Sequence, residues 1–184
     1  MTKFQPVQQN SGLPSSPEPQ AERALSLSKG QQISLFLLRL ALGMLFFYAG
    51  ITKVVNPAWS AAGYLKGAKT FSGFYSALAS SSFLPITNFL SEWGLTLIGL
   101  SLIVGVFVRI SSILGAAMMI LFYFPILDFP YPNPHSFLVD EHIVYAFALL
   151  VLGSLRAGRV WGLENWCSNL PICSKFPKLR NWLG

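Results

Sequence analysis

Four long apolar runs, separated by short stretches that carry the polar residues and prolines, set the pattern of the chain. The first extends from Ile33 to about Val55 and is stopped by Asn56-Pro57. The second runs from about Pro85 to Val108, the third from Ile110 to Leu127, and the fourth from Val139 to Leu155. A hydrocarbon core of roughly 30 Å is crossed by about 20 residues of helix rising about 1.5 Å each. The pattern therefore predicts an all-α fold, an integral-membrane four-helix bundle. A turn near Arg109 makes the second and third helices antiparallel neighbours.

Between the first two runs, residues 58 to 84 hold Trp59, Tyr64, Phe71, Phe74, Tyr75 and Phe83 among Gly, Ser and Lys. This stretch is too polar to span and rich in the aromatics that gather at headgroup level. It is expected to form an interfacial or partly re-entrant segment between helices 1 and 2. Two readings stand, a lid on the bundle or a plain aromatic belt. Residues 1–30, rich in Gln, Ser and Pro, read as a disordered tail, because they bury too little apolar surface to offset ordering. Residues 31–166 form the membrane domain and 167–184 a short basic tail.

Composition agrees with lipid as the solvent. Hydrophobic residues make up 53% of the 184 and charged residues only 11%, against about 25% charged in ordinary soluble domains. The formal charge of +6 sits at the ends of the apolar runs and not on a stripe interleaved with aromatics, so nucleic acid is not an expected partner. Lys3, Arg23, Lys29, Arg109, Arg156, Arg159, Lys175, Lys178 and Arg180 fall on one side, and Lys53, Lys66 and Lys69 on the other. The excess of cations on cytoplasmic loops then predicts a multi-pass plasma-membrane protein with both termini in the cytoplasm. Cys167 and Cys173 lie six apart, a spacing that matches neither a redox pair nor a zinc knuckle, and are expected as free thiols.

The charges inside or at the mouths of the runs are the candidates for chemistry, since lipid tolerates them only with a partner or a purpose. Arg39 lies about six residues into the first run, roughly 9 Å deep. It either snorkels to the headgroups or acts inside the bundle on backbone carbonyls, water or a ligand. Arg39, Gly43, Phe46, Gly50 and Lys53 share one helical face, with the glycines open to close packing. Glu92 sits about two turns from the outer end of the second run, where Lys53 is its natural partner. Asp140, Glu141 and His142 open the fourth run. Asp140 suits a helix cap and Glu141 the positive end of the dipole. Histidine as a residue type passes protons near neutral pH, and Tyr145, next along the Glu141 face, lies where it extends such a relay. Consecutive helical residues point about 100° apart and cannot converge on one ion, so no metal site is expected.

These same residues carry a resemblance. The run Leu38-Arg39-Leu40-Ala41-Leu42-Gly43 through Phe46-Phe47-Tyr48-Ala49-Gly50-Ile51-Thr52-Lys53 resembles the first helix of DoxX-type membrane proteins. Trp59 to Leu65, Glu92-Trp93-Gly94-Leu95 with Gly99 and Gly105, Arg109, Val139-Asp140-Glu141-His142 with Tyr145, Gly158-Arg159 and Gly162-Leu163-Glu164 continue it in order. The likeness extends to the DoxD-like subunit of thiosulfate:quinone oxidoreductase. It implies a subunit of a quinone-linked oxidoreductase acting on a small sulfur compound such as thiosulfate, with a soluble redox partner subunit. In that reading Glu92, Glu141 and His142 are the catalytic candidates, and Arg39, Lys53, Asp140, Tyr145 and Arg109 the binding ones. Quinone is the implied cofactor; no haem-attachment, nucleotide or iron–sulfur motif occurs in the sequence. Membrane lipid and further copies of the chain complete the expected partners. The alternative is a non-enzymatic anchor or a small-solute or ion permease.

Overall fold

The computed structural model describes residues 27–163. The expectations for most of the N-terminal tail, for the basic tail and for both cysteines fall outside this range. Within it the regular elements are helical: α1 (Lys29–Val54), α2 (Ala62–Lys66), α3 (Ser72–Leu78), α4 (Leu84–Val104), α5 (Val108–Ile126), α6 (Glu141–Ser154) and a 3-10 turn, Ala157–Arg159. Among the described residues no β-strand forms, only two isolated bridges in the loop before α6.

Helix α1 starts four residues before its apolar run because Ser28 and Gln31 close a reciprocal capping box over the first free N–H groups. Helix α4 stops earlier than the apolar pattern suggests. Gly105 takes a left-handed conformation, φ 74°, and caps it, so the turn lies at 105–107 and not at Arg109. Hydropathy could not place that break, since Val106, Phe107 and Val108 are as apolar as the helices they separate. Helices α1, α4 and α5 are long and apolar enough to cross a membrane. Helix α6 has 14 residues, about 21 Å at 1.5 Å per residue. The expected fourth span is thus a shorter helix, capped at one end by Asp140 and closed at the other by the turn at Arg156.

Two tight pairs, α1 with α4 and α5 with α6, make the core. In the first pair Gly43 meets Ile103, Phe47 meets Gly99 and Gly50 meets Thr96, an antiparallel register that sets Val54 level with Glu92. A Cβ on Gly50 or Gly99 would collide with the facing backbone, so the small residues let the helices approach. Leu42, Phe46, Leu95, Leu102, Met119 and Leu149 join the two pairs in one buried cluster. The outward faces remain apolar: Leu37, Leu97, Leu114 and Phe147 are each 55% exposed or more. Apolar surface of this extent needs lipid.

Arg39 belongs to the interior. It is 1% exposed and donates to the carbonyls of Ala157 (2.6 Å) and Val160 (3.0 Å), with Phe36 under its guanidinium. Snorkelling is therefore not its role. It ties α1 to the 3-10 turn, in a niche that Gly105 and Gly162 leave open.

Candidate functional site

At the other end of the bundle the chain leaves α1 through Asn56, whose side chain accepts from the Ala58 N–H while its carbonyl accepts from Trp59 N–H. That turn brings the Trp59 ring to 5.6 Å from the Lys53 ammonium. Lys53 also donates to the Ala49 carbonyl, one turn back on its own helix. Helices α2 and α3 then cross over the bundle and are fastened to α5. The reason lies in Pro125, which lacks an N–H and so leaves the carbonyl of Leu121, four residues earlier, without its helical donor. The Tyr75 hydroxyl donates to that carbonyl at 2.8 Å, and the Tyr64 hydroxyl donates to the neighbouring Phe122 carbonyl. Lys69 N–H bonds the Pro125 carbonyl and the Thr70 hydroxyl bonds Leu127, satisfying acceptors at the helix end. Burial, followed by the proximity of Tyr75 and Asp140, pushes the Tyr64 hydroxyl well above its ordinary range, and burial also pushes Tyr75 up. Both phenols thus stay protonated as donors.

Beneath this cover lies a cavity of about 350 Å³ lined by Lys53, Trp59, Tyr64, Ser91, His142 and Tyr145 with several apolar neighbours. Its most organised feature is the start of α6. The Asp140 carboxylate, 1% exposed, accepts from the backbone N–H of His142 (3.1 Å) and of Ile143 (3.3 Å) and lies 2.6 Å from His142 Nδ1. A carboxylate so placed holds the proton on Nδ1 and fixes the ring. Among the described residues Nε2 has no partner, and the half-buried ring borders the cavity. Tyr145, one turn on, stands edge-on to Phe46 at 6.3 Å. The arrangement is an oriented proton acceptor or donor, with a cation and flat aromatic walls around one small chamber.

The structure sorts the expected site residues. Lys53, His142 and Tyr145 share the cavity, and Asp140 caps α6 while holding His142. Tyr145 joins His142, three residues away, and not Glu141, because Glu141 points outward and is exposed. Glu92 is half-buried on the α1-facing side of α4 and does not line the cavity. Among the described residues it forms no ion pair with Lys53, which is turned back to Ala49 and Trp59. Arg39 and Arg109 lie at the opposite end, the former on the 3-10 turn and the latter in the first turn of α5. Sequence reasoning missed Tyr64, Tyr75 and Ser91. The available signal for the first two was Pro125 inside an apolar run, which frees a carbonyl, together with two tyrosines in the polar stretch 58–84.

Among the described residues no three His, Cys, Asp or Glu side chains gather as a metal centre requires. The family model described as DoxX matches residues 34–126, half of the 184-residue chain. The chain belongs to the DoxX family. It is a membrane protein by that membership and by its apolar helices. The match takes in α1 to α5, including Lys53 and the α2–α3 cover, and ends before the Asp140–His142 pair. No curated protein and no solved structure matches the chain.

Proposed function

We propose that this DoxX-family protein is the membrane subunit of a quinone-linked oxidoreductase, with His142, oriented by Asp140, exchanging protons at the outer end of the bundle. The observation that carries this reading is the 2.6 Å Asp140–His142 contact beside a chamber also bordered by Lys53. A buried carboxylate behind a histidine is the arrangement that general acid–base chemistry needs. The chamber suits a quinone head: its volume lies in the usual range for small-molecule sites, its walls are largely aromatic, and the Lys53 and His142 side chains border it. When bound, a quinone accepts two electrons and two protons. His142 would relay protons one at a time through Nε2, each taken from the outer water, while Asp140 keeps hold of Nδ1, and Lys53 would draw the anionic reductant toward the cover. The sulfur-compound reductant, thiosulfate above all, and the soluble subunit that relays its electrons come from the likeness to DoxD-like proteins.

The same reading takes α6 as a fourth crossing, completed by the loop ahead of it and the turn behind, and so a four-helix bundle with both termini cytoplasmic in the plasma membrane. Support comes from charge. Lys29, Arg109, Arg156 and Arg159 collect at one end of the helices, and Lys53, Lys66 and Lys69 at the other.

Membranes from cells carrying the chain with its native partners test the function through thiosulfate-dependent quinone reduction. His142→Gln is expected to lose roughly 10²-fold in kcat, with Asp140→Asn between it and wild type. Wild-type rates in both variants overturn the assignment. Thiosulfate uptake by liposomes that contain this chain alone marks a permease instead.

A further inference from the structure

The chamber beside His142 has a larger neighbour. A cleft of about 580 Å³ opens between α4 and α5, lined almost wholly by apolar side chains such as Leu97, Ile98, Leu114 and Ala117. It exists because α4 and α5 pack far less closely on each other than on α1 and α6. Leu97 and Leu114 at its walls are 57% and 55% exposed, so it faces the lipid side of the bundle. Helices α2 and α3 roof it through Leu65, Phe74 and Tyr75. The two spaces share Tyr64, Ser91 and Phe122 as a common wall. One end of this double space thus offers an ammonium and an imidazole beside aromatic rings, and the other an almost wholly apolar lining.

We infer that the paired cavities form one binding site for a ring-headed amphiphile drawn from the membrane, its hydrogen-bond-accepting head beside Lys53 and His142 and its linear hydrocarbon tail in the α4–α5 cleft. The inference rests on the proposed quinone reading for the head and extends it to the tail. Three features select this occupant. Phe46, Trp59, Tyr64, Phe122 and Tyr145 around the chamber fit a flat ring. Lys53 Nζ supplies a hydrogen bond to an oxygen on that ring, and His142 Nε2 accepts one from a ring hydroxyl once the head is reduced. The cleft opens where lipid-dissolved molecules arrive, so the ligand need not pass through water. The Tyr64 hydroxyl bond to Phe122 stands at the shared wall between head and tail.

The test uses the full chain in nanodiscs of fixed lipid content and two probes, dimethoxy-methyl-benzoquinone without a tail and the same ring carrying a decyl chain. Binding is read as quenching of tryptophan fluorescence, to which Trp59 in the chamber wall contributes. Ala117→Phe fills the cleft at an exposed position that supports no core packing, and Leu97→Phe does so from the facing helix. Each is expected to weaken the decyl probe roughly tenfold while leaving the tailless probe unchanged; comparison at constant lipid cancels partitioning. His142→Ala is expected to weaken both probes in their reduced, quinol form. Unchanged affinity for the decyl probe in both filled variants overturns the inference, as does equal loss of both probes. Displacement of the decyl quinone by decyl phosphocholine at equal concentration assigns the cleft to any lipid chain and overturns the ring-headed ligand. Tail-selective binding without quinone reduction removes the redox reading and leaves the site standing. Quinone reduction with an unaltered KM for the decyl probe in Ala117→Phe does the reverse.

Discussion

Arg39 and His142 sit near opposite ends of the same bundle, and each is a polar group that the helices have made room for. Arg39 is held by carbonyls in and just after a 3-10 turn more than a hundred residues away, with Phe36 under its guanidinium and Gly105 and Gly162 packed against it. Replacing it with Leu leaves those carbonyls without their charged donor, which costs about 3 kcal/mol. Arg39→Leu is therefore expected to lower the melting temperature in detergent, Arg39→Lys to recover part of the loss, and quinone binding by the folded fraction to stay at the wild-type level. His142 shows how much of a residue's role is legible in a sequence. Its place at a helix mouth was readable from Asp140-Glu141-His142, and so was the cap. Which of the three faces the chamber was not, because the choice depends on how α6 rolls against α5, through Gly115 on Leu149 and Ser112 on Gly153. Glu92 fails for the same kind of reason: it is level with Lys53 in depth but sits on the α1-facing side of α4, away from the chamber.

At the scale of elements, the apolar runs gave the long helices and a single left-handed glycine moved the α4–α5 turn. The cover formed by α2 and α3 was visible only as an aromatic stretch, since its fastening depends on carbonyls that Pro125 frees on another helix. Those bonds make the cover sensitive to alkali. The raised values of Tyr64 and Tyr75 mean that the folded state favours their protonated forms. Their contribution is fully present below the ordinary tyrosine value of about 10 and declines as pH rises from there toward the raised values. The double variant Tyr64→Phe, Tyr75→Phe is expected to melt lower than wild type, with a gap constant from about pH 6 to 9 that narrows above about pH 10. Melting followed by circular dichroism against pH checks this. A gap that widens in alkali removes the two phenols from the role of fasteners.

For the whole molecule, charge, lipid exposure and chemistry divide along one axis. The arginine-bound end carries most of the described cations and closes the bundle on itself, while the covered end keeps a chamber, a cleft and an oriented histidine. DoxX membership accounts for the first five helices and their close glycine packing; the Asp140–His142 pair lies beyond the matched region, so its chemistry rests on its own geometry. Imidazole nitrogen resonances of the ¹⁵N-labelled chain examine that geometry directly, because the sequence has only two histidines and His135→Gln leaves His142 as the sole signal. At about pH 9, where histidine is ordinarily neutral, the proton is expected on Nδ1, with an acceptor Nε2 whose shift moves when decyl benzoquinol is added. A proton on Nε2, or an Nε2 resonance indifferent to the quinol, removes His142 from the proton-exchange role.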